Sequence, residues 1–206
     1  MRRHVQLFLC ALALTYFGTS TAALADGRWA RDDHYDPTRI YGGVWLGFGG
    51  TVDVDHVGQV GNLGKTIGGQ GGVDVVVARY LSLGGEVRVG GFRVGHFDDR
   101  NRLIDLDFKP RLRLPIDGTP LELYLTVPVG LTIPRLSDIN GGTHLHENVG
   151  WNLGVGGGLN AFITHNFALN VEPIWLVHRF GIDGTDGNGH VKIQQFAIML
   201  NAVLAI

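Results

Sequence analysis

The segment Leu121–Ile133, LELYLTVPVGLTI, is apolar at every odd-numbered position. Between those residues it carries Glu122, Tyr124, Thr126, Pro128, Gly130 and Thr132. A period of two belongs to a β-strand whose faces meet unlike surroundings. The alternation recurs in Ile40–Asp53, Gly69–Tyr80, Leu81–Gly95, Leu103–Pro115, Val149–Phe162, Phe167–His178 and Val191–Ile206. Tight turns at Arg79–Ser82, Pro115–Pro120 and Ile163–Asn166 alternate with longer polar segments near residues 53–68, 95–102, 134–148 and 179–190. This pattern predicts an all-β fold, an eight-stranded antiparallel up-and-down β-barrel with one short-turn rim and one long-loop rim.

The composition of the two faces predicts which one points inward. In residues 103–115, LIDLDFKPRLRLP, Ile104, Leu106, Phe108, Leu112 and Leu114 oppose Asp105, Asp107, Lys109, Arg111 and Arg113. A soluble barrel would cover its exterior with long solvated side chains. Here the polar face is dominated by Gly, Asn and Thr, which fit a narrow lumen, and the apolar face is bulky on every segment. Eight strands enclose room only for side chains or one small ligand, so the bulky face would overfill the interior. It is expected to face lipid, in a transmembrane barrel of residues 40–206. The 32 glycines and mean hydropathy of +0.12 fit such strands, each only half apolar.

The charges then fall inside. A charge on the lipid face near the midplane would cost about 2–4 kcal/mol, whereas an interior one can pair. The expected lumen network is Asp74, Glu86, Arg88, Asp105, Asp107, Lys109, Arg111, Arg113, Glu122 and Glu172. Folding about Pro115–Pro120 sets Arg113 opposite Glu122 and Arg111 opposite Tyr124. Across residues 95–102, Glu86 falls near Arg111; across Arg79–Ser82, Asp74 faces Glu86 or Arg88. Each desolvated charge is tolerable only if paired. The ladder reads as a register lock and plug, with a gated conductance path as the alternative.

The N-terminus reads as an export signal. Arg2 and Arg3 precede an apolar run from Val5 to Phe17, and Ala23–Ala25 has the small-x-small form of a cleavage site. Residues 1–25 are expected to be a signal peptide and 26–39 a periplasmic linker. Cys10 lies inside the signal, so the mature chain would have no disulfide. Without Arg2 and Arg3, 15 of the 17 basic residues remain against 19 acidic ones, a net −4. That balance gives no support to nucleic-acid binding, which wants a basic face.

These features, with YLSLGGEVRVG at Tyr80–Gly90 and the alternating final strand, resemble the small outer-membrane β-barrel proteins of Gram-negative bacteria. That group holds the OmpA transmembrane domain, OmpX and the opacity-type proteins. The resemblance implies an outer-membrane location with short turns in the periplasm and long loops outside. Its partners would be outer-membrane lipids, lipopolysaccharide, the assembly machinery and a ligand met by the loops, around a monomer without cofactor. Family members usually end in Phe or Trp, and this chain ends in Ile206.

Other chemistry has thinner support. His144, His146 and Glu147 could line one side of an extended segment as a surface metal site, although loop histidines are commonly just polar. Residues 183–189, DGTDGNG, lack the oxygen spacing of a calcium loop and suit turn chemistry. His178 and Glu172 share a face, but no serine joins them as a nucleophile, so no enzyme is expected. The expected role is structural or surface-interacting, adhesin-like, with a small pore or carrier for ions or hydrophobic compounds as the alternative.

Overall fold

The computed structural model describes residues 38–55, 58–93, 101–135, 146–184 and 187–206. Its regular elements are all strands: β1 (Thr38–Val54), β2 (Gly58–Asn62), β3 (Thr66–Ala78), β4 (Leu81–Phe92), β5 (Asn101–Pro115) and β6 (Leu121–Thr126). They continue with β7 (Val129–Arg135), β8 (His146–Glu147), β9 (Gly150–Phe162), β10 (Phe167–Gly184) and β11 (Gly187–Ala205). Pairing runs β1–β3–β4–β5, then to β6 and β7, then β9–β10–β11, antiparallel throughout. The ring closes where β11 pairs with β1, from Arg39↔Ala205 to Val54↔Val191. Closure leaves the eight-stave wall without an open edge among the described residues, which a membrane-spanning sheet requires.

β6 and β7 are halves of one stave, so the wall has eight. The stave breaks at Val127 and Pro128, because proline has no N–H to give the ladder. Pro110 lies beside the break, its carbonyl accepting from Val127 N at 3.4 Å. Register survives, with Thr126 facing Arg111 and Val129 facing Phe108. At the short-turn rim, Gly118 takes a φ of 75°, which favours glycine, in the turn between β5 and β6. β2 folds onto β1, and β8 onto β10, at the long-loop rim.

Burial fixes the sidedness. Leu125 (58% exposed), Leu131 (53%) and Val155 (61%) point outward, whereas Lys109 and Glu172 (0%) and Arg88 (1%) are sealed inside. A sheet with aliphatic side chains outside and charges within is stable only in a lipid solvent.

The interior is not uniformly polar. Tyr41, Phe162, Ala168 and Val203 cluster toward the short-turn end. Trp45, Ile174, Leu176, Ala197 and Met199 form an apolar wall at mid-height. Val52, Leu63, Phe92, Leu103, Phe180, Val191 and Ile193 pack together toward the long-loop end.

Several sequence expectations need correction. Residues 1–37 lie outside the described residues, but β1 begins at Thr38, so Thr38 and Arg39 belong to the barrel and not to the linker. Val52 turns inward because the register shifts between Phe48 and Gly50, a bulge that flips the phase beyond it. Residues 179–190, read as a long polar segment, largely extend β10 and β11, paired from Arg179↔Lys192 to Gly184↔Gly187.

Candidate functional site: the charged lumen

The inward positions of β3, β4, β5 and β6 supply most of the charge. Inward glycines on adjoining strands make room for bulky groups. A Cβ on Gly90 would stand 2.0 Å from Trp45 Cζ2, and one on Gly158 2.4 Å from the Tyr124 hydroxyl. Within that space six acidic side chains (Asp74, Glu86, Asp105, Asp107, Glu122, Glu172) face five basic ones (Arg39, Arg88, Lys109, Arg111, Arg113) and His178. All twelve are buried.

Three ties cross the lumen at different heights. Nearest the short turns, Glu122 on β6 accepts from Arg39 of β1 through Nη1 at 2.7 Å and Nη2 at 3.2 Å. It also accepts from Arg113, through Nε at 3.0 Å and through a close Nη2 contact, and from Asn160 Nδ2 at 2.8 Å. At mid-height Lys109 Nζ lies 2.7 Å from Glu86 Oε2 and 2.8 Å from Glu172 Oε1. Higher up, His178 Nε2 on β10 lies 3.0 Å from Asp105 Oδ2 on β5, whose other oxygen accepts from Thr132 Oγ1. Arg88 joins the upper levels, with Nη2 2.6 Å from Asp107 Oδ2 and 3.3 Å from Asp105 Oδ2, and Nη1 3.6 Å from Glu86.

Uncharged groups complete the packing. Arg111 bonds Asp74 Oδ2 at 2.9 Å, as Ser82 does, and its guanidinium sits over the rings of Tyr41 and Tyr124 at 4.6 and 5.1 Å. Such stacking suits a planar cation out of water. Tyr124 donates to Glu172 Oε2 at 2.5 Å. A chain of amides runs from Gln70 to Asn201, Asn170 and Asn160 and ends on Glu122. Gly43 lets that chain pass β1, since a Cβ there would stand 2.5 Å from Asn201 Oδ1.

The ten residues singled out in the sequence are therefore brought into one connected interior, but with different partners. Arg113 stands opposite Tyr124 in the ladder and Glu122 opposite Pro115, so the Arg113–Glu122 bond is diagonal. Arg111 faces Thr126, not Tyr124. Glu86 faces Asp107, four residues from the expected Arg111, and takes Lys109 as its near partner. Asp74 faces Gly84, and neither Glu86 nor Arg88. Arg39 escaped the sequence reading because it precedes the visible alternation. His178 shared the right face, but its partner Asp105 is 73 residues away. His144 and the His146 side chain lie outside the described residues; Glu147 lies in β8, whose backbone pairs with Ile182.

No family model matches the chain, and no curated protein matches it in sequence. Solved structures do match. The outer membrane protein OprG from Pseudomonas aeruginosa superposes with a TM-score of 0.60 over 82% of this chain and 95% of that one, at 11% identity. Neisserial surface protein A gives a TM-score of 0.56 over 82% and 97%, also at 11% identity. The fold is that of a small outer-membrane β-barrel. At such identity the likeness concerns the fold, and the contents of this barrel's lumen are read from its own residues.

Proposed function

We propose that this outer-membrane β-barrel is a closed, non-catalytic, monomeric scaffold. Its short turns lie in the periplasm, and its long-loop end meets lipopolysaccharide and external partners in a structural or adhesin-like role. One observation carries the reading: charged ties span the lumen at three heights, and the apolar Val52–Phe92–Phe180 cluster closes over them. Moving an ion through would require breaking buried pairs, each expensive to leave half made. The test is single-channel recording of the refolded full chain in planar bilayers. Silence at all holding voltages is expected, and steady ohmic steps would refute the closed scaffold.

A second reading, a carrier for hydrophobic compounds, draws on the apolar character of that same long-loop cluster, in which Leu63, Leu103 and Ile193 also pack. Uptake of an apolar dye into proteoliposomes, faster with the barrel than without it, would select that reading.

A further inference from the structure

The outward face is apolar along every stave, yet on four adjacent staves it turns basic toward the long-loop end. Lys65 just before β3, Arg93 just after β4, Arg102 in β5 and Arg135 at the end of β7 are exposed and share the outward phase. Arg102 stands directly opposite Arg135 on one side and Gly91 on the other, and Gly91 faces Ile67 of β3. A groove of about 530 Å³ opens along this row, its lining including Gly64, Lys65, Gly91, Arg93 and Arg102. Among the described residues, no acidic side chain points outward from β3, β4, β5 or β7.

The far side of the same rim is built differently. Arg179 and Lys192 are also opposed across a ladder. There, however, Lys192 stands opposite Asp53 on its other side, and Arg179 lies 3.7 Å from Asp55. Like charges directly opposite destabilise a ladder, and among the described residues no carboxylate stands opposite or beside the Arg102–Arg135 pair as Asp53 and Asp55 do on the far side, so the pair suits an added anion. Ile67, Val89, Ile104 and Ile133 follow beneath the four cations on the same face. A basic row above an apolar wall complements an amphiphile with phosphate at headgroup level and acyl chains along the barrel.

We propose that this patch binds the phosphorylated headgroup of an outer-leaflet glycolipid, with Arg102 and Arg135 clamping one phosphate and Lys65 supplying further charge. A free phosphate would leave the apolar wall unused. The proposal rests on the orientation given above, with the long-loop end in the outer leaflet.

The test titrates the refolded full chain in nonionic detergent with bisphosphorylated lipid A, dephosphorylated lipid A, phosphatidylglycerol and inorganic phosphate, counting bound lipid by native mass spectrometry. Bisphosphorylated lipid A is expected to bind at least about tenfold tighter than the other two lipids, and Arg102→Gln with Arg135→Gln to remove about tenfold of that affinity. Arg79→Gln, on the opposite rim, should change nothing, and heat-modifiable gel mobility checks that each variant is folded.

Unchanged affinity in the double variant would overturn the site. Equal binding of phosphatidylglycerol would reduce it to general attraction, and full displacement by inorganic phosphate would make it a free-anion site; either result overturns the proposal. Detergent leaves both rims open, so orientation is read separately, by labelling Asp55→Cys on whole cells with an impermeant maleimide. Absence of label there overturns the orientation, independently of the titration.

Discussion

Lys109 and Glu172 meet across the lumen, Nζ of the one 2.8 Å from Oε1 of the other, both fully buried and on strands β5 and β10 that are not neighbours. The same ammonium holds Glu86 on β4. One cation therefore serves two carboxylates and ties two walls together, so its loss takes the near partner from both at once.

Lys109→Met is accordingly expected to destabilise the refolded barrel by about 3–5 kcal/mol, the cost of stranding buried charge. Glu172→Gln keeps an acceptor for Tyr124 and leaves Lys109 with Glu86, so about 1–3 kcal/mol is expected. Adding Glu172→Gln to Lys109→Met should cost less than it does alone. Urea titrations in detergent of the singles and the double measure the coupling.

Glu122 makes a sharper asymmetry, because two arginines share it. Arg113→Leu leaves Glu122 with Arg39 and Asn160, for a loss of about 1–3 kcal/mol. Glu122→Leu leaves two guanidinium groups facing each other without a counter-ion, for about 3–5 kcal/mol. Combining the two strands Arg39, so full recovery is expected only when Arg39 is neutralised as well. Unfolding midpoints of the four variants decide the order.

Gly90→Ala tests the packing of the apolar wall. Its Cβ would fall 2.0 Å from Trp45 Cζ2, and overpacking of this kind costs about 1–3 kcal/mol. Trp45→Leu in the same chain should return part of that loss, because the indole is what the new methyl strikes. Denaturant midpoints of both variants provide the check.

The period of two carried the stave positions and their sidedness, while the pairing partners stayed hidden for the same reason. Slipping a hairpin by two residues keeps every side chain on its face but changes whom it meets. The actual turn between β5 and β6 therefore puts Tyr124, and not Glu122, opposite Arg113 without moving any charge to lipid. Faces did change where the chain breaks its period, as at the Phe48–Gly50 bulge that brings Val52 inside. In Pro173–Val177 both faces are apolar, which concealed the inward Ile174 and Leu176. Arg39 was invisible locally because only closure of β11 onto β1 brings it near Glu122, 83 residues away.

The lipid face can be challenged directly. Leu125 is outward and more than half exposed, so Leu125→Arg should cost about 2–4 kcal/mol if it lies near the bilayer midplane. Folding into phospholipid vesicles, followed by gel mobility across a denaturant series, gives the value. A near-zero effect would place that face in water.

The sidedness of the whole wall is tested most directly by two native tryptophans. Of the four in the chain, Trp45 is inward and Trp175 outward. Versions keeping only one or the other, with the rest changed to Phe, are refolded into vesicles of bilayer lipids brominated on their acyl chains. Strong quenching of Trp175 with Trp45 nearly unaffected is the result predicted for a barrel with its charges inside. Quenching of Trp45 with Trp175 spared would contradict it.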